Sequence, residues 1–172
     1  MHNTFENLNN QAIQLASEGQ YTEAVACFHA ALHMDQSNYL VWYNLGVTYR
    51  DSGDTEAAKK AMLTAHQLAP EDEDILENLS VLCYLLNSID EAFYYARKAL
   101  ALNGDNAHIW NNMGVFWFSR QQYTDAAKAF ESALAIYPHY TDALINLRDT
   151  YEELHNDVGR DECIARLRQL GN

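Results

Sequence analysis

The sequence predicts an all-α chain built as an array of about five stacked helical hairpins. Three observations carry this prediction. Chemically similar residues return every 34 positions along nearly the whole chain, the mark of a repeat architecture. Within each period the apolar residues follow the three- and four-residue spacing of a helix rather than the alternation of a strand. Two prolines and seven glycines in 172 residues are too few turn formers for an all-β sandwich.

Trp42 and Trp110 stand 68 residues apart, two periods. The series Ala24, Ala58, Ala92, Ala126 and Ala31, Ala65, Ala99, Ala133 keep the period, as do the small residues Ala12, Gly46, Ser80, Gly114. Large residues hold columns of their own, among them Leu15, Tyr49, Cys83, Trp117, Tyr151. Pro70 and Pro138 share a phase with Gln36, Gly104 and Asn172. Units therefore begin near Phe5, Tyr39, Glu73, Ala107 and Thr141, giving a single domain over 1–172 with repeats at about 5–38, 39–72, 73–106 and 107–140 and a divergent fifth or capping repeat at 141–172.

Each unit reads as two helices. In the first, Trp42, Leu45, Gly46 and Tyr49 fall on one face. A corner follows at Asp51-Ser52-Gly53-Asp54, where Gly53 can take positive φ. The second helix opens with acids or threonine, as in Thr22-Glu23, Asp90-Glu91 and Thr124-Asp125, which suit the donor-rich start of a helix. Ala58, Met62 and Ala65 form its inward stripe and Pro70 marks the exit. Small residues at facing columns let two helices close to the short end of their usual roughly 8–10 Å separation. The fifth unit departs from this scheme: Arg148 replaces the small residue, and Arg160 and Leu167 replace the two alanines. A close crossing is not expected there, and the charges around Arg160 suit a polar end cap; a fragment trimmed from a longer array is the alternative.

The spaced set Trp42, Leu45, Gly46, Tyr49, Ala58, Ala65 and Pro70 resembles the tetratricopeptide repeat signature, and Trp110, Gly114, Ala126, Phe130, Ala133 and Pro138 resemble it nearly as well. The resemblance implies a right-handed superhelix of helix-turn-helix hairpins whose first helices line a concave groove, and a non-catalytic scaffold that binds a peptide or protein segment there.

On such first helices one column is constant: Asn10, Asn44, Asn78, Asn112, Asn146. Asparagine is a mediocre helix former, so five in register call for a cause. A carboxamide can donate to and accept from a peptide backbone, which would hold an extended chain without reading its sequence. The column is similar to the asparagine ladder of the tetratricopeptide superhelices in O-GlcNAc transferase and kinesin light chain. The competing reading has the amides bonding neighbouring repeats. Three residues on, Ile13, Val47, Val81 and Val115 offer an apolar floor, and Tyr43, Tyr84 and Phe118 could supply selectivity; edges of the repeat core and an aromatic rim are the bland readings.

Lysine and arginine total 11 against 24 acids, a formal charge of −13. That balance disfavours nucleic acid and anionic membrane surfaces and favours a basic partner segment. The inward phases carry Glu6, Asp51, Asp74, Glu77, Asp142, Asp149, Glu152 and Glu153 against a single cation, Arg50. The carboxylate clamp of chaperone-binding relatives is not matched, since Asn9, Ile13, Asp74 and Asn78 occupy its phases. His29 and His33 stand four apart without a third ligand and read as solvated, while His108 is the one histidine expected in the groove. Cys27, Cys83 and Cys163 show no metal or disulfide spacing. No catalytic constellation, metal site or cofactor is expected. The segment Met1-His2-Asn3-Thr4 lacks the features of a signal peptide, which points to the cytoplasm. Rival expectations are self-assembly into a homo-oligomer and service as the targeting module of a larger protein.

Overall fold

The computed structural model describes residues 4–171; Asn172, which shares the proline phase, lies outside them, as do Met1, His2 and Asn3. Among the described residues there are ten α-helices and no strand: α1 (Phe5–Ser17), α2 (Tyr21–Met34), α3 (Tyr39–Asp51), α4 (Thr55–Leu68), α5 (Glu73–Leu85), α6 (Ile89–Leu102), α7 (Ala107–Ser119), α8 (Tyr123–Ile136), α9 (Thr141–Glu153) and α10 (Asp157–Gln169). The odd-numbered helices begin at the positions where the sequence columns start their periods.

The corners after these helices share one geometry. Gly19, Gly53, Asn87, Gln121 and His155, spaced by the repeat period, all have positive φ, from 54° to 89°. In each, two backbone N–H groups turn back on the helix end, as when Gly53 donates to the Arg50 carbonyl at 3.0 Å and Asp54 to that of Tyr49 at 2.9 Å. This left-handed cap satisfies carbonyls that the helix leaves unpaired. Helix starts are capped by side chains read less easily from the sequence. Asn38 accepts from the N–H groups of Leu40 and Val41, Asn106 from those of His108 and Ile109, and Asp72 from that of Ile75. Between repeats, the indole N–H groups of Trp42 and Trp110 donate to the carbonyls of Gln36 and Gly104, both at 2.9 Å. Trp42 and Trp110 thus tie these two linkers to the helices they precede.

The chain forms two compact units, residues 1–91 and 92–172, with the boundary inside α6. In the first, hairpin α1–α2 stacks on hairpin α3–α4, and α5 packs on α4. Its core is built on Ala12, Ala24, Phe28, Ala31, Val41 and Leu45, each 1% exposed or less. A Cβ at Gly46 would meet the Met62 side chain at 3.0 Å, so the small column does let this hairpin close. In the second unit α7 pairs with α8, α8 stacks on α9, and α9 pairs with α10. Gly114 lies against the Phe130 ring so closely that a Cβ there would stand 2.4 Å from it.

The fifth hairpin closes by a different device. Arg148 stays half-buried where the other repeats carry a small residue. The close approach passes to Gly159 of α10, where a Cβ would meet the Tyr151 ring at 2.7 Å. Glycine and ring have exchanged helices, so α10 packs on α9 through Gly159, Cys163 and Leu167 in spite of the lost alanines. Its Arg160 pairs with Asp157 and Asp161, at 2.8 and 2.9 Å, on the helix's own surface.

Candidate functional site

The second helices α2, α4 and α8 each pack between their own first helix and the next, and consecutive first helices touch in each unit: α1 with α3 and α7 with α9. A pocket opens beside each of these contacts. The one at α1–α3 has a volume of about 210 Å³ and is lined by Ile13, Ala16, Phe28, Asn44, Val47 and Asp51, among others. The one at α7–α9, about 110 Å³, is lined by Val115, Phe118, Phe130, Asn146 and Asp149. Ile13 and Val115, Phe28 and Phe130, and Asn44 and Asn146 are each 102 residues apart, three repeat periods. The same pocket is therefore built twice from equivalent columns, once in each unit, with a buried phenylalanine as its floor.

The structure sorts the asparagine column into two kinds. Asn10 is exposed and Asn44 and Asn112 are half-buried, and no intramolecular hydrogen bond to their carboxamides is formed among the described residues. Asn78 and Asn146 are engaged. The Asn78 Nδ2 donates to the Asp74 carbonyl at 2.9 Å, and its Oδ1 accepts from the Arg50 guanidinium at 2.5 Å. The Asn146 Nδ2 donates to the Oδ1 of buried Asn111 at 3.0 Å. Asn44 and Asn146 line the pockets, Asn44 with a free amide and Asn146 with one already used.

Of the other predicted residues, Val47 and Val115 are pocket walls, and Phe118 lines its pocket with its ring edge-on to Tyr123 at 5.2 Å between centroids. Val81 and Tyr84 are half-buried on α5. Tyr43 joins a polar cluster of α3 and α5. Burial, and next the Asp74 carboxylate, push its hydroxyl above the ordinary tyrosine range, with Arg50 opposing them. Arg50 does not stand free: its guanidinium also holds Asp51 at 2.9 Å. Asp149 is likewise paired, with Arg148 at 2.7 Å.

Sequence reading overlooked Phe28 and Asn111. Phe28 sits in the column of Met62, Ala96 and Phe130; the column was visible, but its role as a pocket floor depends on how neighbouring hairpins stack. Asn111 precedes the constant asparagine, and its contact with Asn146 spans 35 residues. His29, expected to be solvated, is exposed, and its Nε2 also bonds the Tyr49 hydroxyl at 3.1 Å. The same two columns three repeats later carry the Tyr151 hydroxyl donating to Glu131 at 2.6 Å. His108 is exposed and bonds the Tyr140 hydroxyl at 2.9 Å. The three cysteines are free, and among the described residues no three His, Cys, Asp or Glu side chains gather where they could hold a metal. No helix of the described residues is long and apolar enough to cross a membrane.

Comparison with known proteins agrees with this architecture. Tetratricopeptide repeat family models match residues 15–77, 48–107 and 107–140. Tetratricopeptide repeat protein 8 of Caenorhabditis elegans is 30% identical over 131 residues, covering 75% of this chain and 26% of the relative. Type IV pilus assembly protein PilF of Pseudomonas aeruginosa is 30% identical over 108 residues, covering 62% of this chain and 43% of PilF. The chain spans 26% or less of the length of the first curated relatives it matches. Among solved structures, MamA superposes with a TM-score of 0.83 at 21% identity, covering 98% of this chain and 90% of MamA. YrrB, described as a tetratricopeptide repeat protein with an unusual peptide-binding site, gives 0.75 at 22% identity, covering 94% and 83%. These likenesses show the fold. Residues 15–140 of the chain are tetratricopeptide repeats.

Proposed function

We propose that the chain is a non-catalytic, cytoplasmic binding scaffold whose repeats hold an extended segment of another protein along their first helices. The observation that carries this reading is the pair of equivalent pockets on that face, each with an asparagine at its wall and a phenylalanine at its floor. A half-buried amide without an internal partner, such as Asn44 or Asn112, is poorly placed for stability alone, because desolvating a polar group without a bond has a cost. Offered to a peptide backbone, each amide can gain about 0.5–1.5 kcal/mol per hydrogen bond. The peptide-binding site named for YrrB and the peroxisomal targeting signal receptor of Candida albicans, 30% identical over 89 residues, support the class of activity. A charge of −13 favours a basic segment.

The test is Asn44→Ala with Asn112→Ala. Both amides lack internal partners, so partner capture from the source cell should drop about tenfold or more while the melting temperature stays at the wild-type value. An early-melting double variant would return these amides to a structural role and end the proposal. Asn78 and Asn146 are left intact because their internal bonds would blur the reading.

A further inference from the structure

The twin pockets invite a residue-by-residue comparison, since one architecture is built from two sets of side chains. Ile13 gives way to Val115 and Asp51 of the α1–α3 lining to Glu153, changes that keep apolar and acidic character; two further changes alter the chemistry. Val47 in the α1–α3 pocket becomes Asp149 in the α7–α9 pocket, and Ala16 becomes Phe118. The second change narrows the space, from about 210 to about 110 Å³. The first places a carboxylate in a pocket otherwise walled by Val115, Phe118, Phe130 and Asn146. An apolar, aromatic stem slot ending on a carboxylate is complementary to one class of side chain: a methylene chain with a cationic tip. Arg148 meets Asp149 only through Oδ1, with Nε at 2.8 Å and Nη2 at 2.7 Å, and the Asp149 side chain is 46% exposed. Oδ2 is left to a second cation. Asp142, Glu152 and Glu153 on the same helix outweigh the charge of Arg148. The narrow slot favours the compact ammonium of lysine over the broad, planar guanidinium of arginine.

Resting on the peptide-groove reading, we infer that the α7–α9 pocket is a lysine subsite: a lysine of the bound segment lays its methylenes against Val115, Phe118 and Phe130 and sets its ammonium on Asp149. Its twin at α1–α3 takes an apolar side chain against Phe28 and Val47, with Asp51 paired to Arg50 and Asn44 free to bond the adjoining backbone.

Random peptides displayed on phage and selected on the immobilised full chain supply the probe. A selected peptide is then labelled and its binding measured by fluorescence polarisation, alongside the same peptide with norleucine in place of lysine. Selected peptides should share a lysine, and norleucine should weaken binding to the wild type about tenfold. Asp149→Val copies the twin pocket at this one column; it should bind lysine and norleucine peptides alike and melt with the wild type. Peptides that need Asn44 and Asn112 yet lack a common lysine, or whose lysine preference survives Asp149→Val, overturn the subsite and leave the groove standing. If no peptide is selected that the Asn44/Asn112 variant releases, both readings fall.

Discussion

At the scale of single residues, the repeat period assigns the same chemistry to different side chains and the structure shows what each substitution costs. Gly46 and Gly114 occupy one column but face unlike neighbours. A methyl at 46 meets the flexible Met62 side chain at 3.0 Å, whereas a methyl at 114 meets the Phe130 ring at 2.4 Å, with that ring 1% exposed. Gly114→Ala should therefore destabilise the chain by about 1–3 kcal/mol through overpacking. Gly46→Ala should lie within about 1 kcal/mol of wild type, because Met62 can yield and alanine favours the helix. Urea unfolding of the two variants checks the contrast, and equal losses would contradict it. The small column was legible in the sequence; the difference within it was not, because it depends on which side chain the opposite helix presents.

At the scale of elements, the hairpin corners and the α5–α6 turn set the energetics. The corner after α5 takes its left-handed cap at Asn87, and the following helix begins close enough for Glu91 to accept from the Cys83 thiol at 3.6 Å while holding Lys59 at 2.7 Å. Burial first, and then the Glu91 carboxylate against the opposing pull of Lys59, pushes the Cys83 thiol up from 9.0 to about 11. The folded chain keeps this proton where the unfolded chain has lost it. The associated stability is complete below pH 9.0 and is lost as pH rises through about 11. Burial and the Glu131 partner push Tyr151 in the same direction. The unfolding free energy should therefore fall between pH 9 and 11, and Cys83→Ala should flatten the fall. Identical slopes for variant and wild type would assign the pH dependence elsewhere. The fifth hairpin teaches a related lesson: the loss of the small residue at 148 read as the loss of close packing, but Gly159 restores it from the opposite helix.

At the scale of the whole molecule, charge and repetition act together. A net −13 repels acidic partners over a distance of about 10 Å at 0.1 M salt, so association with a basic segment should slow as salt is raised, with little change in dissociation from the aromatic-floored pockets. Stopped-flow mixing at several ionic strengths separates the two rates; a salt-independent on-rate would remove charge from the account. The period of 34, the helix starts at Phe5, Tyr39, Glu73, Ala107 and Thr141, and the constancy of the asparagine column were all readable from the residue order. Helical spacing and capping are local, so they leave local traces. Which amides remain available, why Arg50 spends itself on Asn78, and how Phe28 and Phe130 come to floor matching pockets depend on hairpins stacking on their neighbours. Those contacts join residues about one repeat apart or more, and no local pattern encodes them.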